Sequence, residues 1–409
     1  MKAILPKIKF KNFYEKWNIK KLQSIAPLRG GFAFKSEKFQ NVGIPIVRIS
    51  NIGFDGTVGG EFEYYSKLSP DEKFVLKGRS LLLAMSGATT GKIAMLDSEE
   101  EYYQNQRVGY FQNNGAVDYD FLSSVLQTKA FTNQLNAVLV AGAQPNISSK
   151  EIDSFEFCIP ESIEEQSAIG SLFRTLDDLL ASYKDNLANY QSLKATMLAK
   201  MFPKAGQTVP EIRLDGFEGE WKLYELKSRA ETITKGTTPK DKSWQGEVNY
   251  IKTESINRDT GSLVRTASTS LEEHLGYLKR SILKEGDVLF SIVGTLGVVG
   301  IVDKKDLPAN TNQQIAIIRL KRDDAIFMLN FLKSPRIKSF IKSDSTIGAQ
   351  PSLSLWQIEK IKVSLPPSLE EQQAIGAYFS NLDQLITSYQ GKITQLETLK
   401  KKLLQDMFI

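Results

Sequence analysis

The sequence predicts mixed α/β domains in tandem, each followed by a long α-helix, with the two helices paired as an antiparallel coiled coil of pseudo-two-fold symmetry. Three observations predict it: a repeat running the length of the chain, a proline-bounded switch from short apolar runs to a helical period in each copy, and the length of the helical runs. Residues 6–22 (PKIKFKNFYEKWNIKKL) reappear at 210–226 (PEIRLDGFEGEWKLYEL), so that Phe13 matches Phe217 and Trp17 matches Trp221. GAQPNIS at 142–148 stands against GAQPSLS at 348–354, and ESIEEQSAIGSLF at 161–173 against PSLEEQQAIGAYF at 367–379. The offset is 204 residues at the start, about 207 in the middle and 206 at the end. A solenoid unit recurs every 20 to 50 residues, roughly. Here a whole domain and its connector are duplicated, which suits recognition of two similar things at a fixed separation.

Each copy opens with a strand-like segment beside the Trp and then a Gly-bearing loop, GGFAFK at 30–35 or KGTTPK at 235–240. Short apolar runs broken by Gly and Asn follow: IPIVRISNI (44–52) against VNYIKTESI (248–256), and LKGRSLLLAMSGATTGKIAML (76–96) against LKEGDVLFSIVGTLGVVGIVD (283–303). These read as strands joined by turns. Residues 119–135 and 325–342 read as amphipathic helices, and Pro160 and Pro366–Pro367 close the α/β parts. Beyond them apolar residues step by three or four, from Ile169 to Met201 and from Ile375 to Met407, with no proline inside either run. Ser162 with Glu165 and Ser368 with Glu371 fit capping boxes. A helix of about 38 residues is about 57 Å long, and its single apolar stripe needs a partner surface. The other copy is the natural partner, which would leave the α/β parts at opposite ends of a rod. The expected boundaries are 1–160 and 207–366 for the α/β domains, and 161–206 and 367–409 for the helical spacers.

The formal charge of +5 is unevenly spread. Residues 1–160 carry 19 basic against 16 acidic side chains and 207–366 carry 24 against 20, whereas the helical segments are each one charge negative. That bias favours an anionic partner for the α/β parts. The single cysteine, Cys158 in FEFCIP, rules out an internal disulfide, fits a reducing cytoplasm and reads as a strand residue. No signal peptide is expected, and the most membrane-like run, 288–302, is too short to span a bilayer.

Catalytic patterns are missing. His274 is the only histidine, so no repeated His-based site exists, and one His with one Cys excludes an ordinary zinc site; a surface or helix position is expected for His274. GATTGK at 87–92 has three residues between its glycines and Ile93 after its lysine, which departs from a phosphate-binding P-loop. The only Pro-Pro lies in SLPPS, so the Asn/Asp-Pro-Pro-aromatic motif of DNA-base methyltransferases is lacking, and no nuclease carboxylate-x-Lys follows Asp71 at suitable distance.

The duplicated GAQPNIS/GAQPSLS and EEQSAIGSLF/EEQQAIGAYF strings, leading into LDDLLASY and LDQLITSY, resemble the specificity subunit of type I restriction-modification enzymes over essentially the whole chain. The resemblance implies two target recognition domains, each reading one half of a bipartite double-stranded DNA sequence. It implies that the paired helices act as a ruler and dock two modification (methyltransferase) subunits, with restriction (motor-nuclease) subunits also in the complex. It implies no cofactor in this chain, S-adenosylmethionine, ATP and Mg²⁺ being expected on the partners. The competing reading is a dumbbell-shaped protein-binding adaptor with no DNA role.

Comparing the copies proposes DNA-binding residues. Polar residues shared between them, Lys35 with Lys240, Asn105 with Asn312, Gln106 with Gln313 and Gln144 with Gln350, are expected to serve backbone contacts or structure. Residues that differ at equivalent places are expected to read bases: Arg48, Ser50 and Asn51 against Lys252, Glu254 and Ser255, and Thr89, Thr90, Lys92 and Arg107 against Leu296, Gly297, Gly300 and Gln314, with Thr295 also expected among the DNA-binding residues. Arg suits guanine and Asn or Gln suits adenine. Unlike copies imply an asymmetric target.

Overall fold

The computed structural model describes residues 6–53, 55–141, 146–346 and 350–408. They divide into two compact units, Met1–Tyr183 with Lys392–Ile409 and Lys184–Gly391. The first unit runs β1 (Asn18–Lys21), α1 (Leu22–Ile25), β2 (Leu28–Arg29), β3 (Ile44–Val47), β4 (Glu63–Tyr65), β5 (Val75–Leu76), β6 (Ser80–Ala84), β7 (Ile93–Leu96), β8 (Tyr102–Gln104), β9 (Val108–Phe111), α2 (Tyr119–Val125), α3 (Lys129–Ala141), α4 (Ser149–Asp153) and β10 (Glu156–Ile159), then enters α5 (Ile163–Lys200). One antiparallel sheet has the order β2-β9-β6-β7; the other, β4-β3-β8-β5, contains the parallel pair β3–β8. A ribbon of β1 and β10 closes the domain.

The second unit repeats this plan as β11 (Lys222–Glu225), α6 (Leu226–Arg229), β12 (Ala230–Lys235), β13 (Val248–Ile251), β14 (Ser268–Thr269), α7 (Leu271–Leu275), β15 (Val288–Ser291), β16 (Val299–Ile301), β17 (Ala309–Thr311), β18 (Ile315–Leu320), α8 (Ala325–Lys333), α9 (Pro335–Asp344), α10 (Leu355–Glu359), β19 (Lys362–Leu365) and α11 (Leu369–Asp406). Its sheets are β12-β18-β15-β16 and β14-β13-β17, with β13–β17 parallel, and β11–β19 is the closing ribbon.

The helices expected over 119–135 and 325–342 are each two helices. Thr128 ends the first by turning its hydroxyl onto the Val125 carbonyl (2.7 Å), and its Oγ1 then accepts from the Phe131 N–H at the start of α3. Pro335 ends the second, because it has no N–H to continue α8 but suits the first position of α9. His274, expected on a surface or in a helix, lies on α7 but is buried, with its Nδ1 2.6 Å from Asn310 Oδ1. Cys158 lies half-buried on β10, and burial pushes its thiol pKa up.

The duplicated EEQ-A-I-G string joins each long helix to its domain. Ser162 Oγ accepts from the Glu165 N–H at 3.1 Å, but the Glu165 carboxylate does not return the bond. It accepts instead from the Trp17 indole at 3.2 Å, so only half of the expected capping box forms. Glu371 does the same with Ser368 and Trp221. The neighbouring glutamines hold the start of the helix after the sheets: Gln166 accepts from Asp118 N (2.8 Å) and Gln372 from Asp324 N (2.9 Å). One turn later Gly170 lies where any Cβ would stand 2.5 Å from Phe121 N, and Gly376 where it would stand 2.9 Å from Asp324 Oδ1. These glycines permit close crossing of helix on helix. Gly170→Ala is accordingly expected to cost about 1–3 kcal/mol in thermal unfolding, since rigid backbone blocks the added methyl.

In the first unit α5 faces α11 through Asp177 with Lys400 and Tyr183 with Lys392; in the second it does so through Tyr190 with Tyr389 and Lys194 with Asp383. Residue numbers rise on one helix as they fall on the other in both units, so the pairing is antiparallel. The last residues of α11 and those after it, Met407 and Phe408, enter the first unit's core beside Trp17, Phe121 and Phe173. The residues after α5, Met201 and Phe202, enter the second beside Trp221, Phe327 and Phe379. Burial of these side chains is stabilising, at roughly 1.5–3 kcal/mol for each one fully buried.

Candidate nucleic-acid interface

In each unit the strand ends and Gly-bearing loops converge on one polar loop cluster. Phe32 N donates to Gln104 O and Gln106 N to Phe32 O, both at 2.8 Å, tying 30–35 to 104–106. Gly31 is required at this junction, for a Cβ there would lie 2.2 Å from Asn105 O. Asn105 N donates to Val47 O, Met85 N to Arg107 O and Ile147 N to Met85 O, which adds 48–51, 86–92 and 146–148 to the same cluster. In the second unit Thr237 N donates to Thr311 O, Ile292 N to Gln314 O, Leu353 N to Ile292 O and Gly294 N to Pro351 O. Gly236 fills the place of Gly31, with a Cβ 2.0 Å from Thr311 O.

This frame brings most of the predicted residues together. Lys35, Ser50, Gln106 and Arg107 are exposed in the first unit, and Lys240, Glu254, Thr295, Gln313 and Gln350 in the second. Asn105 and Asn312 are half-buried and hold their turns, each Oδ1 accepting from the backbone two residues on, Arg107 N at 3.2 Å and Gln314 N at 3.0 Å. Gln314 is half-buried beside them, and Thr238 Oγ1 donates to Gln313 Oε1. Thr89, Thr90 and Lys92 are half-buried on a turn closed by Thr90 N to Gly87 O (3.2 Å) and Lys92 N to Thr89 O (3.0 Å). Burial lowers the Lys92 pKa. Gln144 lies outside the described residues.

Two expected base readers are placed otherwise. Asn51 is 2% exposed, accepts from Arg48 N at 3.0 Å and donates to Gly59 O and Glu61 O. Ser255 is 1% exposed, accepts from Lys252 N at 3.0 Å and bonds Thr266 Oγ1. Asn and Ser differ in the alignment yet cap the same turn, so the difference does not mark a reader. Both side chains are spent on the frame.

Sequence comparison missed the supports beneath the loops. Gln104 is fully buried, donates to Arg29 O and Val108 O, and accepts from Arg29 Nε at 3.1 Å. Arg29 in turn lies 4.7 Å over the Tyr110 ring. Desolvation lowers its pKa, although Tyr110 and Tyr119 oppose that shift. Phe39 and Trp244 underlie Arg48 and Lys252. Only their position five residues after Phe34 and Pro239, inside otherwise polar loops, could have drawn notice.

Among the described residues no group of three or more His, Cys, Asp or Glu could hold a metal ion, and no helix is long and apolar enough to cross a membrane. Two copies of one α/β frame, each presenting a polar loop cluster with its own side chains and each followed by a paired helix, define a duplicated recognition protein. The chain belongs to the family described as Type I restriction modification DNA specificity domain, which it matches over residues 14–189 and 218–398. It is 24% identical to the type I restriction enzyme EcoBI specificity subunit of Escherichia coli, over 97% of this chain and 86% of that one. It is 22% identical to the MjaVIII specificity subunit of Methanocaldococcus jannaschii, over 82% and 79%. The crystal structure of the type I restriction-modification S subunit from M. genitalium shares the fold, with a TM-score of 0.64 at 17% identity and 99% coverage of both chains. The chain is thus a non-catalytic specificity subunit of a type I restriction-modification system.

Proposed function

We propose that this chain reads an asymmetric, split target in double-stranded DNA, one half with each of the domains 1–160 and 207–366, and selects where modification subunits act. One observation carries the asymmetry: the same backbone-bonded frame holds unlike side chains in the two units, the exposed Arg107 against the half-buried Gln314 above all. In this reading the segments 161–206 and 367–409 set the gap between half-sites. Two modification subunits dock on them and carry S-adenosylmethionine, restriction subunits use ATP and Mg²⁺, and the assembly works in the cytoplasm. Support for paired docking is that apolar side chains remain exposed on the helices in each unit, Leu179 and Leu399 in one, Leu193 and Leu385 in the other. Methylome sequencing of cells with and without the chain tests the proposal; one split, methylated motif should appear only with it, and identical methylomes would defeat it. Arg107→Ala is expected to relax one half-site, each lost base contact being worth about 1–3 kcal/mol. Equal weakening on all sequences would make Arg107 a backbone contact instead.

A further inference from the structure

Arg48 and Lys252 differ in type, yet the structure treats them alike. Each directly follows a strand, β3 or β13, and opens a short turn capped by the side chain three residues on, Asn51 or Ser255, through bonds of 3.0 Å. Each rides on an aromatic ring supplied by the preceding loop. The Arg48 guanidinium is 6.0 Å from the Phe39 centroid, and Lys252 Nζ is 3.6 Å from that of Trp244. Each has a flanking carboxylate at long range, Glu63 at 3.5 Å or Glu254 at 4.0 Å. Those carboxylates are well exposed, at 41% and 65%, so they bind their cations weakly and can yield them.

The ring in the second unit is held at a cost. Trp244 has φ 58°, the one non-glycine residue with positive φ among the described residues. A bulky side chain keeps that backbone only when its surroundings impose it. Tyr250 packs on it at 5.4 Å, and Ser268 donates to its carbonyl through both N and Oγ at 3.3 Å. The frame therefore spends strain to place a ring under a cation.

Resting on the proposed reading of DNA, we infer that Arg48 and Lys252 are one device in two forms: an aromatic-seated cation that contacts a backbone phosphate in each half-site and positions the neighbouring loops. Unlike half-sites need not share a base at a given place, but every half-site offers a phosphate there. Equivalent placement of two different cations, each beside a ring, fits the common ligand. Arg and Lys both serve a phosphate, whereas they are not interchangeable in bidentate base reading.

The test uses the full chain purified with its modification subunits, a labelled random-sequence duplex whose binding is followed against potassium chloride concentration, and motif selection from a random duplex library. Arg48→Ala and Lys252→Ala should each weaken binding to all duplexes alike and reduce the salt slope by about 0.9, leaving the selected motif unchanged. Arg48→Lys and Lys252→Arg should restore both slope and affinity, which separates charge from folding. Trp244→Leu should lower affinity in the same sequence-independent way. Loss of definition in one half of the motif, an unchanged slope, or failure of the conservative variants to restore it would overturn the inference while leaving DNA reading intact. Wild-type protein that selects no motif and shows no salt-dependent binding would overturn the proposed function itself.

Discussion

Replacing Glu371 with Ala is expected to destabilise the second unit by about 3–5 kcal/mol, the usual consequence of leaving one member of a buried ion pair uncompensated. The Glu371 side chain is 1% exposed and accepts from Arg213 Nε and Nη2, both at 2.8 Å, and from Trp221 Nε1 at 3.2 Å. Arg213 also donates to Glu218 O and Gly219 O, so its guanidinium stitches the segment before Trp221 to the start of α11. Loss of the carboxylate strands the arginine and the indole N–H together. Hydrogen exchange localised to α11 and the β11–β19 ribbon is the measurement; protection unchanged from wild type would contradict the argument.

At the equivalent glutamate of the first unit, removal of the charge alone is expected to have the opposite sign. Glu165 holds Trp17 in the same way, but Lys9 stands in line with Arg213 and makes no such fork. Glu165 Oε2 is buried without a hydrogen-bond partner in the structure. Desolvation raises its pKa, with the Trp17 bond and the Lys9 charge opposing the shift. A raised acid pKa means that the folded state disfavours the ionised form. The penalty is present in full at pH above the elevated value and relieved as pH falls through it. Glu165→Gln, which keeps the indole acceptor and mimics the protonated acid, is therefore expected to leave the first unit as stable or more stable at neutral pH, and to flatten its pH dependence in the mildly acidic range. Thermal unfolding across that range decides it.

These two glutamates show what the sequence could and could not reveal. The repeat made their equivalence plain, and the helical period foretold both 38-residue helices. Trp17 and Trp221 were visible as matched landmarks, but not as the partners that draw each glutamate away from its cap. That contact joins positions about 150 residues apart, and no local pattern records it. The loop residues were legible as a set, because Gly, Asn and Gln recur at the same offsets. Their roles were not, because alignment treats Asn51 and Ser255 as a difference while the fold uses either as the same cap. Burial, the deciding quantity, depends on which strand lies beside the turn.

Removal of the Asp383 carboxylate should be the second large effect, again about 3–5 kcal/mol. Lys194 on α5, buried at 7% exposure, donates both to Asp383 on α11 and to the Asp259 carbonyl. Lys333 at the end of α8 reaches the same carbonyl at 2.9 Å, and burial together with Lys194 pulls its pKa down to about 8. Asp383→Ala leaves two ammonium groups facing one carbonyl. In the first unit the corresponding set is Lys400, Asp177 and the neutral Gln127, with Asp177 42% exposed. Asp177→Ala there should cost about 1 kcal/mol or less. The same comparison gives the rescue: Lys333→Gln copies Gln127, removes the repelling charge and should recover much of what Asp383→Ala loses. It should also remove a pH effect. Because Lys333 binds its proton less tightly folded than unfolded, the second unit gains stability as pH rises from about 8 toward the ordinary lysine value. Unfolding of wild type and Lys333→Gln over that range should diverge, with the slope confined to the wild type. If the paired helices set the gap between half-sites, Asp383→Ala should in addition broaden the spacing in the methylated motif, whereas Asp177→Ala should leave it sharp.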